Sequence, residues 1–256
     1  MLKIGVDFGG TGIKGAVVDL DLGELASDRH RIPTPQPSTP IAVAATIAAV
    51  VNEITDEMAC DGPIGCAVPA VVVNGVVRTA ANIDGSWLGD DGRARLGNAL
   101  GRDAVLLNDA DAAGLAEMRF GAGAGRTGTT LLLTLGTGIG SAVFVNGRLL
   151  PNTELGHLVM WGDSAEEQAS AKAREDLDLD WQEWAETRVN AYLAYLESLL
   201  WPDLIIIGGG ISKKPGRFFP FLRTRAEIIP AQLENNAGIV GAAVAAEEAP
   251  SGPSWQ

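Results

Sequence analysis

Cysteine is almost absent from this sequence. Only Cys60 and Cys66 occur, and two cysteines six positions apart make neither a disulfide framework nor a zinc knuckle. They read as two reduced thiols of a cytoplasmic protein. Long apolar runs are also lacking, so no membrane span is expected. Met1-Leu2-Lys3-Ile4 leads straight into a strand-like segment, which leaves no recognisable signal peptide. Positive charge is scarce: 19 Lys and Arg stand against 32 Asp and Glu, a net charge of −13. Such a chain repels phosphate polyanions at long range, and nucleic acid is not an expected partner. No Gly-Lys-Ser/Thr sequence is present, which excludes a Walker A loop.

What is there is an alternation of short branched runs with helical patterns. The 256 residues, 46% apolar, suffice for one large domain or two small ones. Strand chemistry marks Ile4–Asp7, Ala16–Leu20, Ile64–Val68, Val105–Leu107, Leu131–Leu135, Ala142–Val145 and Leu204–Ile207. Helical periodicity marks Ile41–Met58, Asp109–Phe120, Trp181–Leu200 and Ala237–Glu248. The mixture predicts an α/β protein. Pro33 to Pro40 holds too many prolines for a helix or central strand and reads as an extended connector. The tail from Pro250 reads as disordered.

A weak internal repeat is the most useful feature. Asp7-Phe8-Gly9-Gly10-Thr11-Gly12-Ile13-Lys14-Gly15 resembles Thr134-Leu135-Gly136-Thr137-Gly138-Ile139-Gly140 with one glycine removed. Each copy has a strand before and a strand after, which suggests two related halves. Gly10–Gly15 formally satisfies the dinucleotide-binding G-x-G-x-x-G, as does Gly123–Gly128. That motif needs a strand before and a helix after. The first match is followed by a strand, and the second lies between a helix and a strand, so neither fits. A glycine hairpin can still hold phosphate, because backbone N–H groups approach the oxygens closely and Thr hydroxyls add donors. Ordinary tight turns are the competing reading. Asp7, just before the first glycines, suits Mg²⁺ through water, or simply initiates a turn.

Asn108-Asp109 stands between a strand and the helix that follows, where α/β proteins gather their ligand sites. Asp109 reads either as a helix N-cap or as a general base for a weakly nucleophilic hydroxyl. Asp111 competes with it but should point elsewhere. Glu154-Leu155-Gly156-His157 follows the second hairpin. A Glu and a His can read vicinal hydroxyls; a metal site is the rival, and it lacks ligands because no cysteine cluster follows.

Together these segments resemble the ROK family of sugar kinases and repressors, and within it the actinobacterial polyphosphate glucokinase branch. Thr34-Pro35-Gln36-Pro37, Val76 to Asn82, Trp201-Pro202-Asp203-Leu204, Gly208 to Lys214 and Asn236 to Ala243 add to the resemblance. It extends from residue 4 to about residue 246. It implies an actin/hexokinase-like (ribonuclease H-like) fold of two lobes with a central cleft. The N-terminal lobe would be residues 1–108 with 237–256, and the C-terminal lobe 109–236. The implied reaction is phosphoryl transfer from inorganic polyphosphate or ATP to the 6-hydroxyl of glucose, with Mg²⁺. Asp109 would be the base, with Asn82, Asn108, Glu154, His157 and Glu166 around the sugar. Gly9, Gly10, Thr11, Gly12 and Lys14, with Gly136, Thr137, Gly138, Gly209 and Gly210, would bind the donor. The helix start at Gly238–Gly241 would line the same side, and a homodimer is implied.

The chain departs from the family twice. The cysteine-rich zinc motif after Glu-x-Gly-His is missing, so no zinc is expected and His157 should bind sugar. Pro69-Ala70 replaces the usual Pro-Gly at a strand end that approaches the sugar. For the donor, Lys213 and Lys214 join Arg217, Arg223 and Arg225 in one basic segment that would steer polyphosphate; a solvated helix face is the alternative. Three rival classes remain. A strictly ATP-dependent ROK hexokinase would use the same hairpins. A repressor needs a helix-turn-helix ahead of residue 7, for which there is no room. An actin-like ATPase would not need Glu154 and His157.

Overall fold

Glycines carry the first two strands past their branched residues into a tight hairpin. In the computed structural model, which describes residues 1–248, β1 (Leu2–Gly9) pairs antiparallel with β2 (Gly12–Asp19), from Leu2 opposite Asp19 to Gly9 opposite Gly12. The tail from Pro250 lies outside the described residues. Asp7 therefore lies inside β1, opposite Lys14, and not at the strand end. The ladder simply continues through Phe8 and Gly9. Strands β3 (Glu24–Leu25) and β4 (His30–Ile32) both pair with β2.

Helix α1 (Pro40–Glu57) starts where Thr39 accepts a hydrogen bond from the Ala42 N–H and proline occupies the first turn. It buries Val43, Ile47, Val50 and Ile54 at helical spacing. Strand β5 (Ile64–Val68) is buried throughout, as a strand with parallel neighbours on both sides should be. A short ribbon, β6 (Val72–Val73) and β7 (Val76–Val77), precedes α2 (Gly92–Leu100), β8 (Ala104–Asn108) and α3 (Asp109–Phe120). The sheet runs β3-β2-β1-β5-β8. The ribbon and α2 were not expected; two-residue strands and a polar nine-residue helix leave little periodicity to read.

The second sheet runs β11-β10-β9-β14-β15, where β9 is Thr129–Leu135, β10 Ile139–Val145, β11 Arg148–Leu150, β14 Leu204–Gly208 and β15 Glu227–Pro230. Between β11 and β14 lie the ribbon β12 (Val159–Met160) and β13 (Asp163–Ser164), then α4 (Glu166–Ala169) and α5 (Ala171–Asp176). The helical pattern over Trp181–Leu200 is realised as α6 (Trp181–Trp184), a π-helical turn (Ala185–Val189) and α7 (Asn190–Leu200). Leu131, Leu133, Trp184, Tyr192, Ile205 and Phe218 centre this core.

The two sheets share one pattern: two antiparallel pairings, then two parallel ones. The sequence repeat is thus a repeat of topology. Helix α8 (Ala237–Glu248) packs against β1 and β5. A side chain at Gly5 or Gly65 would collide with the α8 carbonyls of Ile239 and Ala242, so helix and strands meet backbone to backbone. Apolar on all sides, α8 is buried over most of its length. Two compact units result: Met1–Ala116 with the segment from Asn236, and Glu117–Asn235.

Candidate active site

In the first unit the β1–β2 hairpin is braced from outside. The Thr34 hydroxyl donates to the Gly9 carbonyl at 2.6 Å, and Arg31 Nη2 donates to the Thr11 carbonyl at 2.8 Å. A Cβ on Gly12 would stand 2.5 Å from Arg31 Nε. Lys14 Nζ lies 3.6 Å from the Asp7 carboxylate. Burial raises the Asp7 carboxyl above its ordinary value, and the Lys14 ammonium offsets this only in part. Gly10 and Thr11 form the turn between the paired Gly9 and Gly12. A polar cavity of about 300 Å³ opens beside it, lined by Gly10, Thr34, Gln36, Ser38, Asn82 and Asp84 among others. Asn82 is therefore placed near the hairpin.

At the β8–α3 junction, Asn108 is buried and takes the capping role that the sequence left open for Asp109. Its Oδ1 accepts from the N–H groups of Ala110 at 2.8 Å and Asp111 at 3.1 Å, and its Nδ2 donates to the Ala70 carbonyl at 3.2 Å. Ala70 is thereby tied to the junction. Asp109 begins α3, and its Oδ1 also accepts from the Ala110 N–H at 2.8 Å. Asp109 is half-buried, whereas Asp111 is only 2% exposed.

In the second unit, the β9–β10 tip is Gly136-Thr137-Gly138. The Gly136 N–H donates to the Gly138 carbonyl at 3.0 Å, and the Lys172 N–H to the Gly136 carbonyl at 3.0 Å. Gly209 sits at φ 84°, where a Cβ would stand 2.5 Å from the Leu135 carbonyl oxygen; both conformation and space require glycine there. Glu154, His157 and Glu166 form a row beside this tip. His157 Nδ1 lies 3.8 Å from Glu154 and Nε2 lies 3.6 Å from Glu166. Glu166 also accepts from the Ile139 N–H at 3.1 Å, and a side chain at Gly138 would strike it. Burial pushes the Glu154 carboxyl up, His157 opposes this, and Glu166 adds to it. Ser141 Oγ fixes the loop by donating to the Thr153 carbonyl at 2.6 Å and accepting from the Leu155 N–H at 3.0 Å.

The basic segment differs from its sequence reading. Gly210–Lys213, Pro215–Arg217 and Phe219–Phe221 are three short 3-10 turns, not a helix face. Their cations disperse: Lys213 pairs with Glu234 at 3.1 Å, Arg223 donates to the Pro220 and Leu222 carbonyls, and Arg225 stacks over Trp201 at 4.7 Å. Lys214 is exposed. Gly241, in the helix start, packs inside the first unit. It is buried, and a side chain there would collide with the Ala112 carbonyl in α3. Gly238 faces Asp7, its added Cβ 3.0 Å from Cγ. Among the described residues no group of three or more His, Cys, Asp and Glu is placed to hold a metal ion.

Gly10, Gly136 and Gly210 are open where Gly209 is crowded. A Cβ on any of them would meet nothing within 4 Å. Packing does not demand glycine at these points; a bare backbone there leaves room for an oxyanion to reach the N–H groups. Sequence reasoning missed Thr34, Arg31 and Ser141 as supports. Thr34 carried a signal, since it opens the proline-rich connector. Arg31 and Ser141 carried none, because nothing in a strand sequence says which hairpin or loop a side chain will brace.

Two glycine hairpins on topologically matching sheets, an Asn-Asp junction and a Glu-His-Glu row define a sugar-kinase-like architecture of the actin/hexokinase type. Residues 3–175 match the ROK family, and the chain belongs to that family. It is 53% identical over 242 residues to the polyphosphate glucokinase of Mycobacterium tuberculosis, covering 94% of this chain and 89% of that one. The crystal structure of the inorganic polyphosphate/ATP-glucomannokinase of Arthrobacter sp. strain KM superposes with a TM-score of 0.90 at 51% identity, covering 95% of this chain and 97% of that one. A ROK family glucokinase from Streptomyces griseus, solved with glucose and AMPPNP, matches at a TM-score of 0.81 and 27% identity, covering 97% of this chain and all of that one (100%).

Proposed function

We propose that this protein transfers a phosphoryl group from inorganic polyphosphate, and from ATP, to the 6-hydroxyl of glucose. The observation that carries the reading is the Glu154–His157–Glu166 row beside the Gly136–Gly138 tip. Two carboxylates and an imidazole at fixed spacing offer acceptors and a donor for vicinal hydroxyls. The identity of about half the residues with polyphosphate glucokinases supports both sugar and donor.

In the proposed step the sugar O6 attacks the terminal phosphorus as its proton passes to Asp109. The bond from that phosphorus to the bridging oxygen breaks, and the shortened polyphosphate, or ADP, leaves with the bonding electrons. Asn108 holds the start of α3, and so the position of Asp109. Asn82, Glu154, His157 and Glu166 hold sugar hydroxyls; no zinc is assigned to His157. Gly9 to Gly12 and Gly136 to Gly138 supply N–H groups to the donor, joined by Gly209 and Gly210, with Lys14, Lys213 and Lys214 as cations. Asp7 fits a hydrated Mg²⁺ and not a resident one: it is a single carboxylate already faced by Lys14. Magnesium arriving with the donor would neutralise phosphate charge there.

The two buried free thiols suit a cytoplasmic location, and among the described residues no helix is long and apolar enough to cross a membrane. A homodimer is part of the proposal by family resemblance. Activity of the purified protein across polyphosphate and ATP, with glucose, mannose or glucosamine, tests the reading. Turnover with polyphosphate and glucose is expected. Phosphate release without sugar would point to an actin-like ATPase, and turnover with ATP alone to a strict ATP hexokinase.

A further inference from the structure

Strand β4 and the residue before it carry two arginines, Arg31 and Arg29, that no sequence pattern announced. His30, the first residue of β4, is held by α1: Nδ1 lies 3.2 Å from Glu53 and Nε2 2.7 Å from Glu57. Side chains alternate along an extended chain, so the neighbours of His30 face the other way. Arg31 reaches the hairpin, Nη2 donating to the Thr11 carbonyl, and it lies opposite Lys14 in the β2–β4 register. Arg29 Nη1 donates to Asn236 Oδ1 at 3.2 Å, at the entry to α8. Two residues on, Gly238 adjoins Asp7, the partner of Lys14. Thr11, Lys14, Asp7 and Asn236 thus bound one stretch of the first unit.

Neither arginine has a carboxylate partner among the described residues. Arg95 and Arg126, by contrast, are held by Asp90 and Glu227. A guanidinium fork matches phosphate oxygens, and its remaining N–H groups need acceptors. In the Lys213–Arg225 segment Lys213 is paired with Glu234, and Arg225 both lies over Trp201 and donates to the Pro202 carbonyl.

We propose that Arg29 and Arg31, with Lys14, form a binding track on the first unit for successive phosphates of an inorganic polyphosphate chain. The track deepens the polyphosphate-kinase reading and rests on it. Its occupant is a linear polyanion longer than a triphosphate. Arg31 takes the phosphates nearest the hairpin and Arg29 those further along.

The test compares kcat/KM for a long polyphosphate, for tripolyphosphate and for ATP, with glucose held saturating, in the wild type and in R29Q/R31Q. The ratio of long-polymer to ATP kcat/KM is expected to fall at least about fivefold, because each lost charge-assisted contact is worth up to about tenfold. A smaller fall overturns the track. Equilibrium binding of long polyphosphate without sugar is read in parallel, and the slope of log K against log salt should flatten by about one per arginine; an unchanged slope also overturns it. Should the double variant fail to fold, R29Q alone carries the same comparison at long chain lengths. If wild-type protein uses no polyphosphate in kinetics or binding, the functional reading fails first, and that outcome is distinct from a fold-competent variant with an unchanged ratio.

Discussion

At the scale of single residues the chemistry reduces to where a proton goes and what holds the hydroxyls. Asp109→Asn retains an oxygen for the Ala110 N–H but cannot take a proton. It should lower kcat by about 10²–10⁴-fold while glucose binding, followed by calorimetry, persists; a near-normal kcat would remove Asp109 from the base role. Glu154 gives a pH signature. It accepts most strongly from a hydroxyl when ionised, and burial pushes its carboxyl above the ordinary glutamate value, which is near 4.3. The acid limb of kcat/KM for glucose should therefore fall off at higher pH than an ordinary glutamate would dictate, and Glu154→Gln should abolish that limb. A limb centred at the ordinary value would contradict the assignment. Asp109, Glu154 and His157 could be proposed from the sequence because a strand-to-helix junction and the loop after a glycine hairpin are where such side chains gather. Arg31 could not, and Thr34 was marked only by its place in the proline-rich connector; each braces a backbone carbonyl, 20 and 25 positions away.

At the scale of elements, two devices hold the hairpins. The first joins β4 to α1 through His30. Its imidazole is raised chiefly by Glu57, with Glu53 assisting against burial. A raised imidazole stabilises the fold fully below the unfolded value of about 6.5, and this contribution is lost as pH rises through the higher folded value. Thermal midpoints of wild type and His30→Gln should diverge at low pH and converge as pH increases; a gap independent of pH would mean the contact works by packing alone. The second device is Gly209 against Leu135. Gly209→Ala forces a positive φ and a collision, a cost of about 1–3 kcal/mol, and the melting midpoint should drop by several degrees. Long strands and long helices were readable from branched runs and periodicity. The π-helical turn at Ala185–Val189 was not, since α and π turns share one apolar spacing at that length and packing around Trp184 and Tyr192 decides between them.

At the scale of the whole molecule, a net charge of −13 opposes a polyanionic donor at long range while local cations attract it. Salt screens both. In the wild type, added salt should lower kcat/KM for long polyphosphate, because close contacts dominate. In R29Q/R31Q the decline should weaken or reverse, since mainly repulsion is left to screen. Parallel salt profiles would show that the far field alone sets association. The repeated topology was visible in the sequence as two glycine turns. The breakup of Lys213–Arg225 was not, because a basic run says nothing about the turns that separate its side chains.

Helix α8 has one more consequence, in the order of synthesis. The sheet of the first unit is encoded by residues 2–108, yet the helix that covers Gly5 and Gly65 is encoded only from residue 237. On the ribosome, residues 117–235 emerge complete while the first-made sheet still waits with one face bare. The first unit to be translated is therefore the last to be finished, and a nascent chain stalled before residue 237 is the form of this protein that most needs a chaperone.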